Sequence, residues 1–362
     1  MSGKLKIKGD PNDSIRGFLR HLLESGKIDG VFALGKTGKG LNYLLVTDKE
    51  KVDELYPLFP FMPENAANLL SRLTFSGPLP GKIAVVIKPC ELRAFVELVK
   101  REQASRDNLV FISPVCGGVL DFVQYKNDAL EKSVPGYMKS FAKRENAENI
   151  RPTCRACEYF IPINADITVI PAEEACEFYL NTDKAGEITK GAPGDLSDGE
   201  LDEAAFEPLM GSRKAEKEKL FEELKLEDYG IKGLVEVFGK CLGCHGCMSV
   251  CPICYCALCA FESKDNEFTP PVFESELTKR GGLRVPPNTI FYHLGRITHM
   301  GISCVGCGMC SDVCPVDIPV SSIFLRSGDA VQKVFDYLPG KDIEEPVPLS
   351  TFIEDELTEV ED

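Results

Sequence analysis

Residues 241–252, CLGCHGCMSVCP, and residues 304–315, CVGCGMCSDVCP, carry one spacing twice: Cys-x2-Cys-x2-Cys-x3-Cys-Pro. Three cysteines this close put their sulfurs on one tight loop facing a single iron–sulfur cubane, and the fourth crosses to a neighbouring one. Two copies predict an exchange of fourth ligands. Cys241, Cys244 and Cys247 then share a [4Fe-4S] cluster with Cys314, and Cys304, Cys307 and Cys310 share a second with Cys251. A chain built this way moves electrons.

Sixteen cysteines are present, so eight lie outside the repeat. In the N-terminal part, Cys90 follows a strand-like run, Cys116 ends another, and Cys154 and Cys157 form a CxxC in RPTCRACEYF. Adjacent strand ends converge on one edge of an α/β sheet, so these four are candidate ligands of a third cubane. The alternative is that Cys90 and Cys116 are small buried hydrophobes and the CxxC is a redox pair or half a zinc site. Cys176, in EEACEFYL, has no partner pattern and reads as structural. Cys254, Cys256 and Cys259 crowd into CPICYCALC, and three thiols this close call for a metal. A three-Cys, one-His zinc is one answer, and a fourth iron–sulfur cluster is another. The available histidines are His245, His293 and His299; His299, five residues before Cys304, is the preferred fourth ligand.

Residues 1–180 read as an α/β domain. Asp13 or Ser14 is expected to cap a helix with Ile15, Phe18, Leu19, Leu22 and Leu23 on its apolar face. Strands follow at 30–34, 41–47, 82–88 and 109–115, with a helix from about Glu91 carrying Leu92, Phe95, Val96 and Val99. Residues 181–235 are a connector, with an exposed loop at 184–200 and a charged helix at 212–226. Residues 236–330 form a two-cluster ferredoxin-like domain with an inserted loop, and 331–362 an acidic tail ending EDELTEVED. The expected fold is thus an α/β N-terminal domain plus a C-terminal two-cluster ferredoxin-like domain. Gly30 to Thr37, GVFALGKT, matches the phosphate-loop formula, but its middle residues read as strand and a second strand follows. A phosphate loop must instead open a helix, so nucleoside triphosphate binding is not expected.

A net charge of −15 without any basic run argues against a nucleic-acid partner. The longest apolar stretch, residues 108–120, is short of the roughly 20 needed to span a bilayer. The opening residues MSGKLKIKGD lack the apolar segment of a secretory signal. A cytoplasmic protein is expected, and in a reducing compartment this cysteine spacing means metal rather than disulfides.

Five segments in order resemble the β-subunits of formate dehydrogenases that serve the deazaflavin coenzyme of methanogens, and of deazaflavin-reducing hydrogenases. They are KIAVVIKPCELRAFVELVK, VFISPVCGGV, RPTCRACEYFIPINADI, KCLGCHGCMSVCPICYCALC and THMGISCVGCGMCSDVCPVDIPVSSIFLR. The resemblance implies a cluster-bearing subunit beside a catalytic one, with Cys90, Cys116, Cys154 and Cys157 as ligands in the N-terminal domain. In the family that domain often carries FAD, which exchanges hydride with the deazaflavin. Two departures argue against FAD here. DPNDSIRGFL stands where the family has a Cys/Ser-Gly-Gly turn, and Ala165-Asp166-Ile167 is followed by TVIPAEEACEF instead of a glycine-rich stretch. Without those glycines the backbone cannot approach a ligand closely.

Two functions follow. The first is a non-catalytic relay between a molybdenum or tungsten formate dehydrogenase subunit, or a heterodisulfide-reductase-like flavoprotein, and another redox partner. The second is a flavin-containing subunit that itself oxidises or reduces a deazaflavin or nicotinamide coenzyme, although no GxGxxG follows a strand to support the nicotinamide version.

Overall fold

The computed structural model describes residues 3–38, 40–122, 130–172, 174–225, 230–263, 269–281 and 289–350. The acidic end EDELTEVED lies outside the described residues.

The chain begins with β1 (Gly3–Lys8) and α1 (Pro11–Glu24), then the hairpin β2 (Gly30–Thr37) and β3 (Gly40–Val46). Next come α2 (Ala66–Thr74), β4 (Ile83–Val86), α3 (Pro89–Lys100), β5 (Leu109–Pro114) and α4 (Leu130–Ala142). The sheet is completed by β6 (Ile167–Ala172), β7 (Ala175–Leu180) and, after α5 (Asp183–Thr189), β8 (Asp195–Asp198). Its strand order is β3-β2-β4-β5-β6-β7-β1-β8. The four central strands β2, β4, β5 and β6 run parallel, with registers such as Val31 opposite Ala84 and Ala84 opposite Val110. Antiparallel strands close both sides.

The central strands are apolar on both faces because both faces are covered. On one side, Ile15, Phe18, Leu19 and Leu22 of α1 meet Val31, Ala84, Val110 and Ile167. On the other, Ala67 and Leu70 of α2 and Leu92 and Phe95 of α3 meet Phe32, Val85 and Phe111. Three layers result, helix on sheet on helix.

The GVFALGKT segment is strand β2 paired with β3, so it offers no phosphate-binding helix terminus. Several local expectations shift. The cap of α1 is Asp10, whose carboxylate accepts from the backbone N–H of Asn12 and Asp13 at 2.9 and 3.1 Å. Pro11 fits the first turn, since it has no N–H to leave unpaired. Helix α3 starts at Pro89, which places Cys90 in its first turn. The stretch 184–200, expected as a loop, holds α5 and the edge strand β8, so the sheet extends beyond residue 180.

The longer helices that follow among the described residues are α6 (Glu207–Leu224), α7 (Gly230–Phe238), α8 (Pro270–Arg280), α9 (Thr289–Met300) and α10 (Val320–Val334). No helix among the described residues is long and apolar enough to cross a membrane. Residues 335–350, expected as part of a tail, return across α3 instead. Tyr337 Oη donates to Glu97 Oε1 at 2.6 Å, and Gly340 N donates to the same oxygen at 2.8 Å. Arg93 Nε donates to the Pro339 carbonyl at 2.8 Å. This strap holds the C-terminal half against the sheet domain.

Gly340 is left-handed at φ +72°, and a Cβ there would stand 2.3 Å from the Arg93 carbonyl oxygen. Gly340→Ala should lower unfolding stability by about 1–3 kcal/mol, the usual cost of one strained backbone residue. Urea denaturation will measure the loss, and limited proteolysis should show earlier cleavage in residues 335–350.

Candidate metal centres

The two repeat copies fold alike at the level of single backbone angles. The second residue after each leading cysteine is left-handed, Gly243 at φ +64° and Gly306 at φ +68°. So is the fourth, His245 at φ +54° and Gly308 at φ +86°. These bends curl each loop around its own sulfurs before a one-turn helix, Gly246–Ser249 or Met309–Asp312. Backbone N–H groups turn toward sulfur: Gly243 N lies 3.4 Å from Cys241 Sγ, and Ile318 N lies 3.3 Å from Cys314 Sγ.

The thiols fall into sets. Burial raises the Cys241 thiol, and the neighbouring thiols of Cys247, Cys244 and Cys314 raise it further. Cys251, Cys304, Cys307 and Cys310 line a single largely apolar pocket with Val305, Met309 and Phe324. Burial, helped by Cys251 and Cys307, pushes the Cys304 thiol up to about 12. Thiols this deep do not ionise alone; they become thiolates where a metal supplies positive charge.

A further set forms in the sheet domain. Strands β4 and β5 are parallel neighbours, so Cys90 at the start of α3 and Cys116 after β5 sit at the same edge. Cys154 and Cys157 come from the turn Pro152–Arg155 and the residues after it. Burial pushes the Cys154 thiol up to about 12, with Cys116 and Cys157 adding to it. Burial raises Cys90 well above the usual thiol range, with Glu91 and then Cys307, Cys116 and Cys154 contributing. Gly118 N lies 3.4 Å from Cys116 Sγ.

Buried arginines join these sets. Arg151, 2% exposed, pairs with Asp312 and donates to the Cys307 carbonyl at 2.8 Å, three residues from Cys154. Met62, Val119 and Met309 fill the space between Cys90, Cys154 and Cys307. Arg213 reaches from α6 to the carbonyls of Cys116 and Cys157 at 3.3 and 3.4 Å. Arg296 donates to Cys247 Sγ at 3.0 Å. None of the three stands out in the sequence. Arg213 sits in a run of Lys and Glu that reads as a solvated face, and only its 1% exposure reveals the inward turn.

Cys254, Cys256, Cys259 and His299 do not converge. Among the described residues no three His, Cys, Asp or Glu side chains stand as ligands of one ion. Cys254 turns inward, with Sγ 3.4 Å from Met300 Sδ, while Cys256 is exposed and His299 is exposed on α9. Thiols around a cubane each bind a different iron and stand farther apart than the ligands of a single ion, so the four-cysteine sets pose a different geometric question. The other histidines are packed instead. His293 is buried and stacked on Phe238 with centroids 4.2 Å apart, and burial lowers it to about 4. His245 stacks on Tyr292 and meets Glu262 Oε1 at 2.7 Å. Cys176 is fully buried in β7, its Sγ 3.4 Å from the Pro11 carbonyl.

No family model matches the chain. It is 25% identical over 91% of its length to the "F420-dependent formate dehydrogenase subunit beta" of Methanocaldococcus jannaschii, covering 92% of that protein. It is 29% identical over 94% of its length to the "F420-dependent formate dehydrogenase 1 subunit beta" of Methanococcus maripaludis, again covering 94%. A chain of the F420-reducing [NiFe] hydrogenase complex from Methanosarcina barkeri superposes with a TM-score of 0.46 at 15% identity, covering 64% of this chain and 93% of that one. That likeness is too loose to carry an argument. The family that the cysteine strings resemble is therefore met again along nearly the whole chain, which is similar to the β-subunits of F420-dependent formate dehydrogenases.

Proposed function

We propose that this chain is a cytoplasmic iron–sulfur electron-transfer subunit of a multi-subunit oxidoreductase. In this reading an α/β cluster-binding domain precedes a two-cluster ferredoxin-like domain at about 236–330. The observation that carries it is the row of thiol sets. Cys90 interacts with Cys307 at one seam, and at the other Arg296 touches Cys247 while lining the pocket of Cys251. The donor chemistry fits [4Fe-4S] clusters: four cysteines per set, curled loops, and backbone N–H groups aimed at sulfur.

Cys90, Cys116, Cys154 and Cys157 would hold the first centre. Cys251, Cys304, Cys307 and Cys310 would hold the second, and Cys241, Cys244, Cys247 and Cys314 the third. Such clusters, when bound, take and release one electron at a time. The chain's own residues supply the rest. Met62, Val119 and Met309 keep water out of the first seam, Arg151 ties the two halves together there, and the exposed Cys244 brings the last set to the surface. The relatives are named as β-subunits of formate dehydrogenases, which suggests a catalytic dehydrogenase subunit as one partner and a heterodisulfide-reductase-like flavoprotein as another.

The relatives' F420 dependence favours a second reading, in which the chain binds FAD and acts on a deazaflavin itself. In open α/β sheets ligands lie outside the carboxyl ends of the parallel strands. Here that crevice is lined by Pro57, Phe59, Tyr137 and Phe141 beside Cys116. The Tyr137 hydroxyl would stand 2.6 Å from a Cβ on Gly117, so the backbone there already faces a side chain. This supports the relay without flavin.

Iron, sulfide, zinc and flavin quantitation on anaerobically purified protein decides the matter. About twelve irons per chain match three cubanes, and about eight remove the N-terminal centre. Bound zinc would require Cys254, Cys256 and Cys259 to rearrange from the separated positions described above, and stoichiometric FAD would overturn the flavin-free relay. Cys154→Ser should lose about four irons and one EPR signal while the other two centres stay. Loss of all iron, or of none, would break the proposed grouping.

A further inference from the structure

Arg296 is 2% exposed, and its guanidinium lies between the two C-terminal thiol sets. Nη1 donates to Cys247 Sγ at 3.0 Å and Nη2 to the Cys247 carbonyl at 3.1 Å. The same side chain lines the pocket bounded by Cys251, Cys304, Cys307 and Cys310. Its cation lies 4.8 Å from the centroid of the Phe324 ring and 5.5 Å from that of Tyr292.

Among the described residues no carboxylate pairs with Arg296. Burial works against its charge, and what outweighs burial is the group of thiols at Cys247, Cys254 and Cys251, followed by Tyr292. Nε has no hydrogen-bond partner among the described residues. Arg151, by contrast, is neutralised by Asp312. A guanidinium withdrawn from water is strongly unfavourable unless an anion meets it. The anions within reach are the sulfurs of Cys247 and Cys251, one from each set, and that of Cys254, which belongs to neither.

We propose that Arg296 is the shared counter-charge of the two C-terminal centres and raises the reduction potential of both. The inference rests on the reading that these thiols hold clusters. Reduction adds one electron, and therefore one negative charge, to a centre without a proton. A fixed cation a few ångströms away, screened by little water, stabilises the reduced form more than the oxidised one. Arg296 acts through ligand sulfur and the field, so it is a positioning residue. Arginine suits the task because it stays charged when buried and its planar fork reaches the Sγ and the carbonyl of one cysteine together.

The test is a mediated redox titration followed by EPR, with iron and sulfide content, on the full chain carrying Arg296→Gln or Arg296→Lys. Arg296→Gln should keep its iron, but both C-terminal centres should titrate at more negative potential. At a fixed potential their reduced-to-oxidised ratio should fall by on the order of tenfold or more. The N-terminal centre, which Arg296 does not touch, should keep its potential, and Arg296→Lys should stay near the wild type. If Arg296→Gln fails to take up iron, full iron in Arg296→Lys still assigns the role to charge. Unchanged potentials in Arg296→Gln, or equal failure of both variants, overturn the proposal. Wild-type protein that binds no iron removes the cluster reading and this proposal together, whereas iron-loaded wild type with an unresponsive Arg296→Gln removes this proposal alone.

Discussion

Charge balance around buried sulfur constrains this interior more than any single packing contact. Burial raises the thiols of Cys90, Cys116, Cys154, Cys304, Cys307 and Cys310, so none of them favours the ionised form unaided. Cations have been placed among them. Arg213 lies beside Cys116 and Cys157, Arg151 between Cys154 and Cys307, and Arg296 between Cys247 and Cys251. Only Arg151 among these three meets a carboxylate in the described residues. Desolvated cations without carboxylates are costly, and in the proposed reading the sulfur sets supply the negative charge that offsets them.

The sheet and the strap together fix that arrangement. Parallel pairing of β4 and β5 brings Cys90 and Cys116 to one edge. The strap then presses the C-terminal half onto α3, the helix that begins beside Cys90. Glu97 receives both Tyr337 Oη and Gly340 N, and Arg93 holds the Pro339 carbonyl. Arg93 also lies 4.5 Å from the centroid of the Tyr159 ring, beside Cys157. One helix therefore anchors the C-terminal half while its first turn carries a cysteine of the N-terminal set.

How much of this could be read from the residues depends on how local each feature is. The central strands were readable because fully covered strands are apolar throughout, as in IAVV and LVFI. Edge strand β8, DLSD, is exposed along its whole length and shows no alternation, so it reads as loop. The curled loops of the repeat were readable because each copy keeps the same cysteine spacing over one short stretch. The left-handed bends were only partly so: glycine marks Gly243, Gly306 and Gly308, but His245 takes the same conformation with a side chain, held by Tyr292 and Glu262. The meeting of Cys90 with Cys307 was not readable, because tertiary packing across most of the chain decides it. The zinc reading of Cys254, Cys256, Cys259 and His299 followed spacing alone, and spacing does not say that Cys254 turns toward Met300 while Cys256 faces solvent.

Exposure varies along the row of thiol sets. The middle here is dry: Met62, Val119 and Met309 are at most 3% exposed, and the pocket of the second set is walled by Val305, Met309 and Phe324. One end reaches the surface at the exposed Cys244, whereas Cys157 is half-buried like the other cysteines of the sets and lies two residues from the 38%-exposed Tyr159. Tyr159 lines an open groove with Lys217, Asp329 and Lys333. The row thus has a covered seam between its first two sets and an exposed sulfur, that of Cys244, in its third.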